Sequence, residues 1–319
     1  LMIGAAGRNA GKTEFACRVI ARFAAETSVT GLKVTTVKER DGKCPRGGQG
    51  CGVCSSLKGN FCLTEERGED PDKDTSRLLA AGAERVLWLR VLREHLAEGL
   101  AAVRQAVGPG RTVVCESNSL RLVAEPDLFL IVREAVSQSY KDSAAAVREH
   151  ADREVLSDGK GFAPDPAELG LLDGRWTLRE EASAVILAGG ASRRMGADKS
   201  LLPVGGRPMI EHVHRQLAPN FREVLLSCGR AGKYSFLDAR EVPDEAPGQG
   251  PLMGILSALN VAACELCAVV ACDIPEVRMP LLRRMLRCAE DFDGVVLRST
   301  GGRNEPLFAV YRKTVLPAA

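Results

Sequence analysis

One stretch rich in glycine and basic residues, residues 187–208, constrains this chain more than any other feature. It reads LAGGASRRMGADKSLLPVGGRP, follows an apolar run typical of a buried strand, and leads into a helical pattern. Gly189 and Gly190 lack a Cβ, so a ligand can approach the backbone N–H groups at the strand end. Arg194 and Lys199 add positive charge that can bind phosphate oxygens. A solvated loop is the simpler alternative, but this order of glycines and bases favours a phosphate site.

The same stretch closely resembles the signature of the molybdenum cofactor guanylyltransferases, which transfer GMP from GTP to the terminal phosphate of molybdopterin. The resemblance implies a nucleotide site that comprises Leu187, Ala188, Gly189 and Gly190, together with the segment that runs from Asp244 to Gly254. It also implies that Lys199 contacts the phosphates.

Asp273 follows a buried strand-like run, CAVVAC, and resembles the magnesium aspartate of that family. A carboxylate at a strand end, close to a loop of lysine and arginine, is a natural Mg²⁺ ligand. We therefore expect Arg194, Lys199 and Asp273 to be the catalytic residues, with Mg²⁺ as cofactor and GTP as substrate.

A second glycine loop, GAAGRNAGKT at residues 4–13, stands at the start of the chain. It lies between a strand-like run and a helical pattern with one apolar face. In that arrangement the backbone around Gly7 and Gly11 can cradle phosphates. Lys12 can neutralise their charge, and Thr13 can hold Mg²⁺. The strict P-loop pattern has one more glycine and a chance Gly-Lys-Thr is common, but the context favours nucleotide binding.

Further along, the first half resembles the P-loop partner protein of molybdopterin guanine dinucleotide synthesis. The resemblance rests on the glycine loop, on Lys38, on the segment KDTSRLLAAGA at residues 73–83 and on Glu116. That family binds GTP and assists the guanylyltransferase, which implies that Glu116 lies in the acidic position near the metal. The histidine-rich segment of that family is replaced here by cysteines. The two resemblances together imply a fusion that covers nearly the whole chain.

Alternating strand and helix patterns predict an α/β chain with two doubly wound domains. Residues 1–160 would form a P-loop NTPase-like sheet and residues 182–319 a Rossmann-like nucleotidyltransferase sheet, joined by a Pro/Gly/Asp-rich linker at 161–181. With 319 residues and 45% hydrophobic content, the chain can bury two cores. The second domain stops before the closing helix of the resembled family, so we expect a truncated C-terminus.

A cysteine-rich insert, residues 42–64, interrupts the first domain with Cys44, Cys51, Cys54 and Cys62 among several glycines. Four thiolates can hold Zn²⁺ in a tetrahedral site or an iron–sulfur cluster. Metal binding would supply the folding energy that such a long loop otherwise lacks. The alternative is a flexible insert with free thiols, and the spacing does not decide between zinc and iron–sulfur.

Charge and hydropathy exclude several functions. Lys+Arg 43 is balanced by Asp+Glu 41, without a run of five like charges, so we expect neither nucleic-acid nor membrane binding. The sequence contains no long apolar run and no leader, which predicts a cytoplasmic protein. The expected partners are GTP and molybdopterin or Mo-molybdopterin. Molybdoenzyme apoproteins, their chaperones and a second copy of the chain are further candidates.

Three other functions stay open at this point. The same transfer could use CTP, but the resembled cytidylyl enzymes carry Leu-Ala-Ala-Gly where this chain has Leu187-Ala-Gly-Gly, which favours GTP. The acceptor could be a sugar phosphate. A metal-sensing P-loop adaptor with a degenerate transferase domain belongs to a different class. The retained Arg194, Lys199 and Asp273 argue against it, and the missing C-terminal segment argues for it.

Overall fold

A computed structural model describes residues 1–37, 57, 59–68, 70–189 and 198–316. The chain divides into two compact units, Leu1–Thr177 and Leu178–Ala319. Each unit is built around its own twisted sheet with helices packed on it, so the chain is α/β as predicted. Over the described ranges, no helix has both the length and the apolar character needed to cross a bilayer.

The first unit contains one large sheet. Its strands are β1 (Met2–Ala5), β2 (Val29–Val37), β3 (Phe61–Glu65), β4 (Arg85–Leu92), β5 (Thr112–Glu116), β6 (Phe129–Glu134), β7 (Arg153–Ser157) and β8 (Phe162–Ala163). Its α-helices are α1 (Lys12–Phe23), α2 (Asp74–Ala80), α3 (Leu96–Val107) and α4 (Asp142–Ala145). Among the described residues the strand order is β3-β4-β2-β5-β1-β6-β7-β8, parallel except for the outer strands β3 and β8. Strand β1 lies between β5 and β6 in this sheet. In open parallel sheets ligands bind beyond the carboxyl ends of the strands, so the carboxyl end of β1 is a place where a ligand can bind.

Helix α1 begins directly after the first glycine loop. Gly11 has a φ of 87°, a left-handed conformation that glycine adopts without strain, and a Cβ there would lie 3.2 Å from the Phe162 ring. Phe15, Val19 and Phe23 are buried along one face of the helix. The spacing of the apolar residues therefore gives the helix one buried face, and Gly11 sets the position at which the helix begins.

The predicted linker, residues 161–181, instead belongs largely to the fold of the first unit. It carries a two-stranded sheet formed by β9 (Leu169–Leu172) and β10 (Arg175–Leu178). The Phe162 ring packs edge-on against Phe15 at 5.1 Å between ring centroids, and Trp176 packs against Phe23 at 4.9 Å. The Pro/Gly/Asp composition thus reflects tight turns, while the aromatic side chains between them pack against α1.

The second unit also centres on one sheet. Its strands are β11 (Glu180–Leu187), β12 (Pro203–Val204), β13 (Arg207–Pro208), β14 (Phe221–Cys228), β15 (Arg240–Pro243), β16 (Leu266–Ala271), β17 (Gly294–Arg298) and β18 (Asn304–Arg312). Its α-helices are α5 (Met209–Leu217), α6 (Pro251–Val261) and α7 (Met279–Cys288). For the residues described, the large sheet has the order β15-β14-β11-β16-β18-β17. The central strand β11 runs parallel to β14 and β16, and β18 is antiparallel to β16.

Both faces of this second sheet are covered. Ile186 belongs to the apolar cluster that contains side chains of α5 and α7, whereas Val185 and Leu187 belong to the cluster that contains side chains of α6. This alternation follows from the two-residue period of a strand. Because β11 runs parallel to β14 and β16, the carboxyl ends of these three strands lie together at one edge of the sheet.

Candidate functional site

A cleft of about 440 Å³ opens at the carboxyl ends of β11, β14 and β16. The residues that line it come from the strand ends, from the start of α6 and from the short helix that carries Lys199. They are Leu187, Ala188, Gly189, Asp198, Lys199, Ser200, Ser227, Asp244, Gly248, Gly250, Pro251, Gly254, Ala271, Cys272, Asp273 and Leu307. Six of the residues predicted from sequence for a nucleotide site therefore meet here: Leu187, Ala188, Gly189, Lys199, Asp244 and Asp273.

Lys199 and Asp273 face each other across this cleft. Lys199 Nζ lies 3.8 Å from Asp273 Oδ2, and the two side chains are 47% and 52% exposed. The backbone N–H of Cys272 donates to the carbonyl of Leu187 at 3.1 Å, which holds the turn before Asp273 against the end of β11. An ion pair this exposed contributes at most about 1 kcal/mol, so both groups can exchange partners with a ligand at little cost.

Asp198 holds the short helix 199–201 in place. Its Oδ1 accepts hydrogen bonds from the N–H of Ser200 at 3.1 Å and from the Ser200 hydroxyl at 2.7 Å, and Lys233 pairs with its other oxygen. Burial pushes the pKa of Asp198 upward, but the hydrogen bonds from Lys233 and Ser200 outweigh it, so the pKa lies below its usual value. Asp198 is therefore ionised at neutral pH and fixes the residue next to it, Lys199.

Tyr234 connects the end of β11 to the same short helix. Its ring is fully buried, and its hydroxyl donates to the carbonyl of Ala188 at 3.1 Å and lies 2.8 Å from Ser200 Oγ. Residues on the two sides of the segment 190–197 are thus joined through one buried phenol. Nothing in the sequence around Tyr234 indicated this role, because its partners are far away along the chain.

Asp244 presents an uncompensated acceptor to the cleft. Its backbone N–H donates to the carbonyl of Cys228 at 3.0 Å. Its Oδ1 is buried and, within the described part of the chain, accepts no hydrogen bond. Burial accordingly raises the pKa of the Asp244 carboxyl. An orphaned carboxylate oxygen in a ligand cleft is a group that a cation or a donor on the ligand can satisfy.

Helix α6 approaches the strand ends closely because of one glycine. A Cβ on Gly254 would lie 2.4 Å from Ser227 Oγ and 3.3 Å from Asp244 Oδ1. Gly250, with a φ of 83°, precedes the first residue of the helix and lines the cleft. The positive end of the α6 dipole therefore lies at the cleft, where it favours an anionic ligand.

The donor set in this cleft suits Mg²⁺, although no group of three or more metal-binding side chains is found among the described residues. Mg²⁺ is usually bound through one or two carboxylates together with substrate phosphates and water. Asp244 and Asp273 supply two carboxylates, and the unpaired Asp244 oxygen is available to such an ion.

A second cleft, of about 620 Å³, lies in the first unit around the glycine loop. Its lining is Ala5, Gly7, Arg8, Asn9, Ala10, Gly11, Lys12, Thr13, Glu14, Asp74, Arg77 and Lys141. The four residues predicted from the loop sequence are thus gathered around one space. Burial, with Lys12 and Arg8 nearby, lowers the pKa of Lys141, as expected where positive charge is concentrated. Glu116 lies at the end of β5, with Lys12 Nζ 3.5 Å from its Oε2.

Several predicted site residues lie outside the described residues: Gly190, Arg194, Cys44, Cys51 and Cys54. Of the four cysteines only Cys62 is described. It lies on β3, and the guanidinium of Arg90 donates to its sulfur at 3.1 Å. The zinc or iron–sulfur site therefore stays a prediction.

The second unit is, by its sheet order and by the glycines, lysine and carboxylates at its strand ends, a nucleotidyltransferase domain. A family profile described as a MobA-like NTP transferase domain matches residues 184–319. A probable molybdenum cofactor guanylyltransferase of Pelotomaculum thermopropionicum is 46% identical over 138 residues, 43% of this chain and 67% of the relative. The chain therefore belongs to the family of the molybdenum cofactor guanylyltransferases, which confirms the family predicted from residues 187–208.

Two further relatives are also named as molybdenum cofactor guanylyltransferases. A probable molybdenum cofactor guanylyltransferase of Carboxydothermus hydrogenoformans is 41% identical and is covered over 69% of its length, against 43% of this chain. The molybdenum cofactor guanylyltransferase of Pseudomonas putida is 38% identical, with 44% of this chain and 75% of the relative covered. Among solved structures, molybdopterin-guanine dinucleotide biosynthesis protein A of Archaeoglobus fulgidus is 26% identical, with a TM-score of 0.37 over 41% of this chain and 68% of that chain.

Proposed function

We propose that the second unit transfers GMP from GTP to the terminal phosphate of molybdopterin and releases pyrophosphate. The observation that carries the proposal is the meeting of Gly189, Lys199, Asp244 and Asp273 in one cleft at the strand ends. The identity of the two substrates is inferred from the chain's membership of the guanylyltransferase family. Retention of these groups also argues against the degenerate adaptor that the sequence left open.

The chemistry needs no covalent intermediate on the protein. A phosphate oxygen of molybdopterin attacks the α-phosphorus of GTP in line. The new P–O bond forms while the bond from the α-phosphorus to the bridging oxygen of the β-phosphate breaks, and pyrophosphate leaves with that electron pair. Lys199 neutralises charge that develops on the phosphates, helped by Arg194. One preorganised donor of this kind is worth about 10²- to 10³-fold in rate.

The carboxylates of Asp273 and Asp244 would hold Mg²⁺, which supplies charge neutralisation for the triphosphate and for the departing pyrophosphate. The start of α6 adds a partial positive charge to the same cleft. Binding and positioning of the two reactants are then the main tasks of the remaining cleft residues.

One assay tests this function. The protein is incubated with Mg²⁺, molybdopterin and each NTP in turn, and dinucleotide and pyrophosphate are measured. We expect product with GTP and much less with CTP. Lys199→Ala and Asp273→Asn should each lower turnover by about 10²-fold or more. Arg222→Ala, at the opposite end of β14, and the exposed Asp291→Asn are matched controls that should keep full activity. Near-normal turnover of Lys199→Ala would contradict the assignment.

The first unit supports a second function, binding of GTP as an accessory domain. The supporting observation is the cleft around Gly7, Gly11, Lys12 and Thr13. Fluorescent GTP titrated into an Asp273→Asn background, in which the transferase site is weakened, should still bind. Lys12→Ala should lower this binding to what remains at the weakened transferase cleft, whereas Lys160→Ala, an exposed lysine outside the cleft, should not lower it. Equal binding by both variants would contradict a nucleotide site at this loop.

A further inference from the structure

Asp74 is a carboxylate that lines the glycine-loop cleft. It is the first residue of α2, its side chain is 42% exposed, and it lines the cleft together with Thr13. The hydroxyl of Thr13 is the group that holds Mg²⁺ in phosphate loops. The Lys33 ammonium forms an ion pair with Asp74 Oδ2.

Glu116, the carboxylate expected from sequence to lie near the metal, stands in a different environment. It is 0% exposed, and among the described residues it does not line the cleft. Neither of its carboxylate oxygens accepts a hydrogen bond from a described residue. Its charge is balanced by Lys12 and Lys33, whose Nζ atoms lie 3.5 Å and 3.7 Å from its Oε2. Glu116 is therefore a buried counter-charge for two lysines.

The other acidic residue of the cleft, Glu14, is already engaged on both sides. Its Oε2 accepts from Arg77 at 2.8 Å and its Oε1 from Arg18 at 3.0 Å. Asp74, by contrast, is 42% exposed, lines the cleft together with Thr13, and forms its described ion pair with Lys33.

We propose that Asp74 is the carboxylate that contacts a divalent cation bound with a nucleoside triphosphate in the first unit, alongside Thr13. This inference rests on nucleotide binding by that unit. Mg²⁺ bound to a nucleotide needs one or two carboxylates in addition to phosphate oxygens. Lys33, shared between Asp74 and Glu116, balances both carboxylates when no cation is bound. It can stay with the buried Glu116 when a cation takes its place at Asp74, so that no buried charge is left alone.

The test compares Asp74→Asn with Glu116→Gln, using Asp72→Asn as the control. Asp72 is exposed, two residues earlier in the chain, and not among the cleft residues. Affinity for fluorescent GTP is measured with excess Mg²⁺ and with EDTA, in the Asp273→Asn background. Electron paramagnetic resonance of bound Mn²⁺ is a second readout. Asp74→Asn should lose the gain in affinity that Mg²⁺ provides, by roughly 10- to 100-fold, and keep the affinity measured in EDTA.

Glu116→Gln and Asp72→Asn should keep the Mg²⁺-dependent gain. The proposal is overturned if Asp74→Asn binds GTP with the Mg²⁺ dependence of the unmodified protein, or if Glu116→Gln alone removes that dependence. Absence of binding by the Asp273→Asn protein itself, with and without Mg²⁺, would overturn nucleotide binding by the first unit. That result is distinct from a failure of Asp74, in which binding persists.

Discussion

At the scale of single residues, Asp244 shows how an unpaired acceptor in a cleft costs stability. Its buried Oδ1 has no hydrogen-bond partner among the described residues, and burial raises the pKa of the carboxyl. The ionised form is therefore less stable in the folded protein than in the unfolded chain. The cost is absent below the ordinary pKa, grows as pH rises from the ordinary pKa to the raised pKa, and is complete above the raised pKa.

We expect Asp244→Asn to stabilise the ligand-free protein and to impair the reaction. The neutral amide carries no desolvated charge, so the melting temperature at pH 7 should rise by about 2 °C relative to the unmodified protein. The difference should shrink as pH falls through the raised pKa of Asp244 and should be absent below about pH 4. Thermal scans at both pH values measure the effect, with Asp291→Asn as control. A variant that is less stable at pH 7 would show that Asp244 is satisfied in the folded state.

Lys233 and Asp198 form the opposite case, a pair whose charges stabilise the fold. Hydrogen bonding to Lys233 and Ser200 outweighs burial and lowers the pKa of Asp198. Burial alone would lower the pKa of Lys233, but the hydrogen bond to Asp198 raises it instead. A lowered acid pKa contributes stability above the unfolded value, and a raised base pKa contributes it below the unfolded value. The pair therefore acts between about pH 4 and pH 10.

Lys233→Met should consequently destabilise the protein at pH 7 by less than about 1 kcal/mol, because both side chains are partly exposed. The loss should decline as pH falls through the pKa of Asp198 and should be smaller in high salt. Urea unfolding at pH 7 and pH 3 measures it. Lys313→Met is the control, since the Lys313 ammonium donates to the carbonyl of Ala262 at 2.8 Å. If Lys233→Met lost the same unfolding free energy at pH 7 and pH 3, the ion pair would not be the cause of the loss.

At the scale of secondary-structure elements, the position of α6 depends on the close contact between Gly254 and β14. The contact is specific: an added Cβ would meet Ser227 Oγ at 2.4 Å but Ser227 Cβ at 3.6 Å. The hydroxyl of one serine, and not the strand backbone, thus sets the limit on residue 254. This brings the start of α6 to the strand ends, where the cleft lies.

Gly254→Ala should therefore cost about 1–3 kcal/mol of unfolding free energy through overpacking. Adding Ser227→Ala removes the nearest clash and should recover most of that loss. The double-mutant cycle, measured by urea unfolding, gives the coupling between the two positions. Gly301→Ala, where a Cβ meets no atom within 4 Å, is the control. Additive losses in the double variant would contradict the packing explanation.

At the scale of the whole molecule, the two clefts are built from separate units. The residues that line the glycine-loop cleft all belong to Leu1–Thr177, and those that line the transferase cleft all belong to Leu178–Ala319. Each cleft lies at the carboxyl ends of the strands of its own sheet. All the residues that line either cleft are therefore supplied by a single unit.

We expect substitutions in one cleft to leave the chemistry of the other in place. Lys12→Ala should abolish GTP binding in the first unit while dinucleotide formation changes by no more than a few-fold. Lys199→Ala should strongly lower dinucleotide formation and leave GTP binding in the first unit in place. Parallel binding and turnover assays on the two variants check this. Loss of both activities in Lys12→Ala, with the protein still folded by circular dichroism, would show that nucleotide binding in the first unit is required for transfer.

Much of this protein is determined by the sequence alone. The order strand, glycine loop, helix appears twice, and the residues from Leu187 to Gly189, with Lys199 and Asp273, mark the edge of a sheet where a nucleotide can bind. These features could be predicted because each depends on residues that are close along the chain, with the two-residue and 3.6-residue periods locating the buried faces. The family likeness rests on the same local motifs.

Only the tertiary structure decided which distant residues meet. Tyr234 joins Ala188 to Ser200, Lys233 pairs with Asp198, and Asp74 pairs with Lys33. The segment 161–181, with the composition of a linker, packs Phe162 and Trp176 against helix α1. Such pairs are set by loop closure and packing over long sequence separations, which local periodicity does not encode. The sequence therefore determined the kind of site, and the fold determined which residues hold its parts in place.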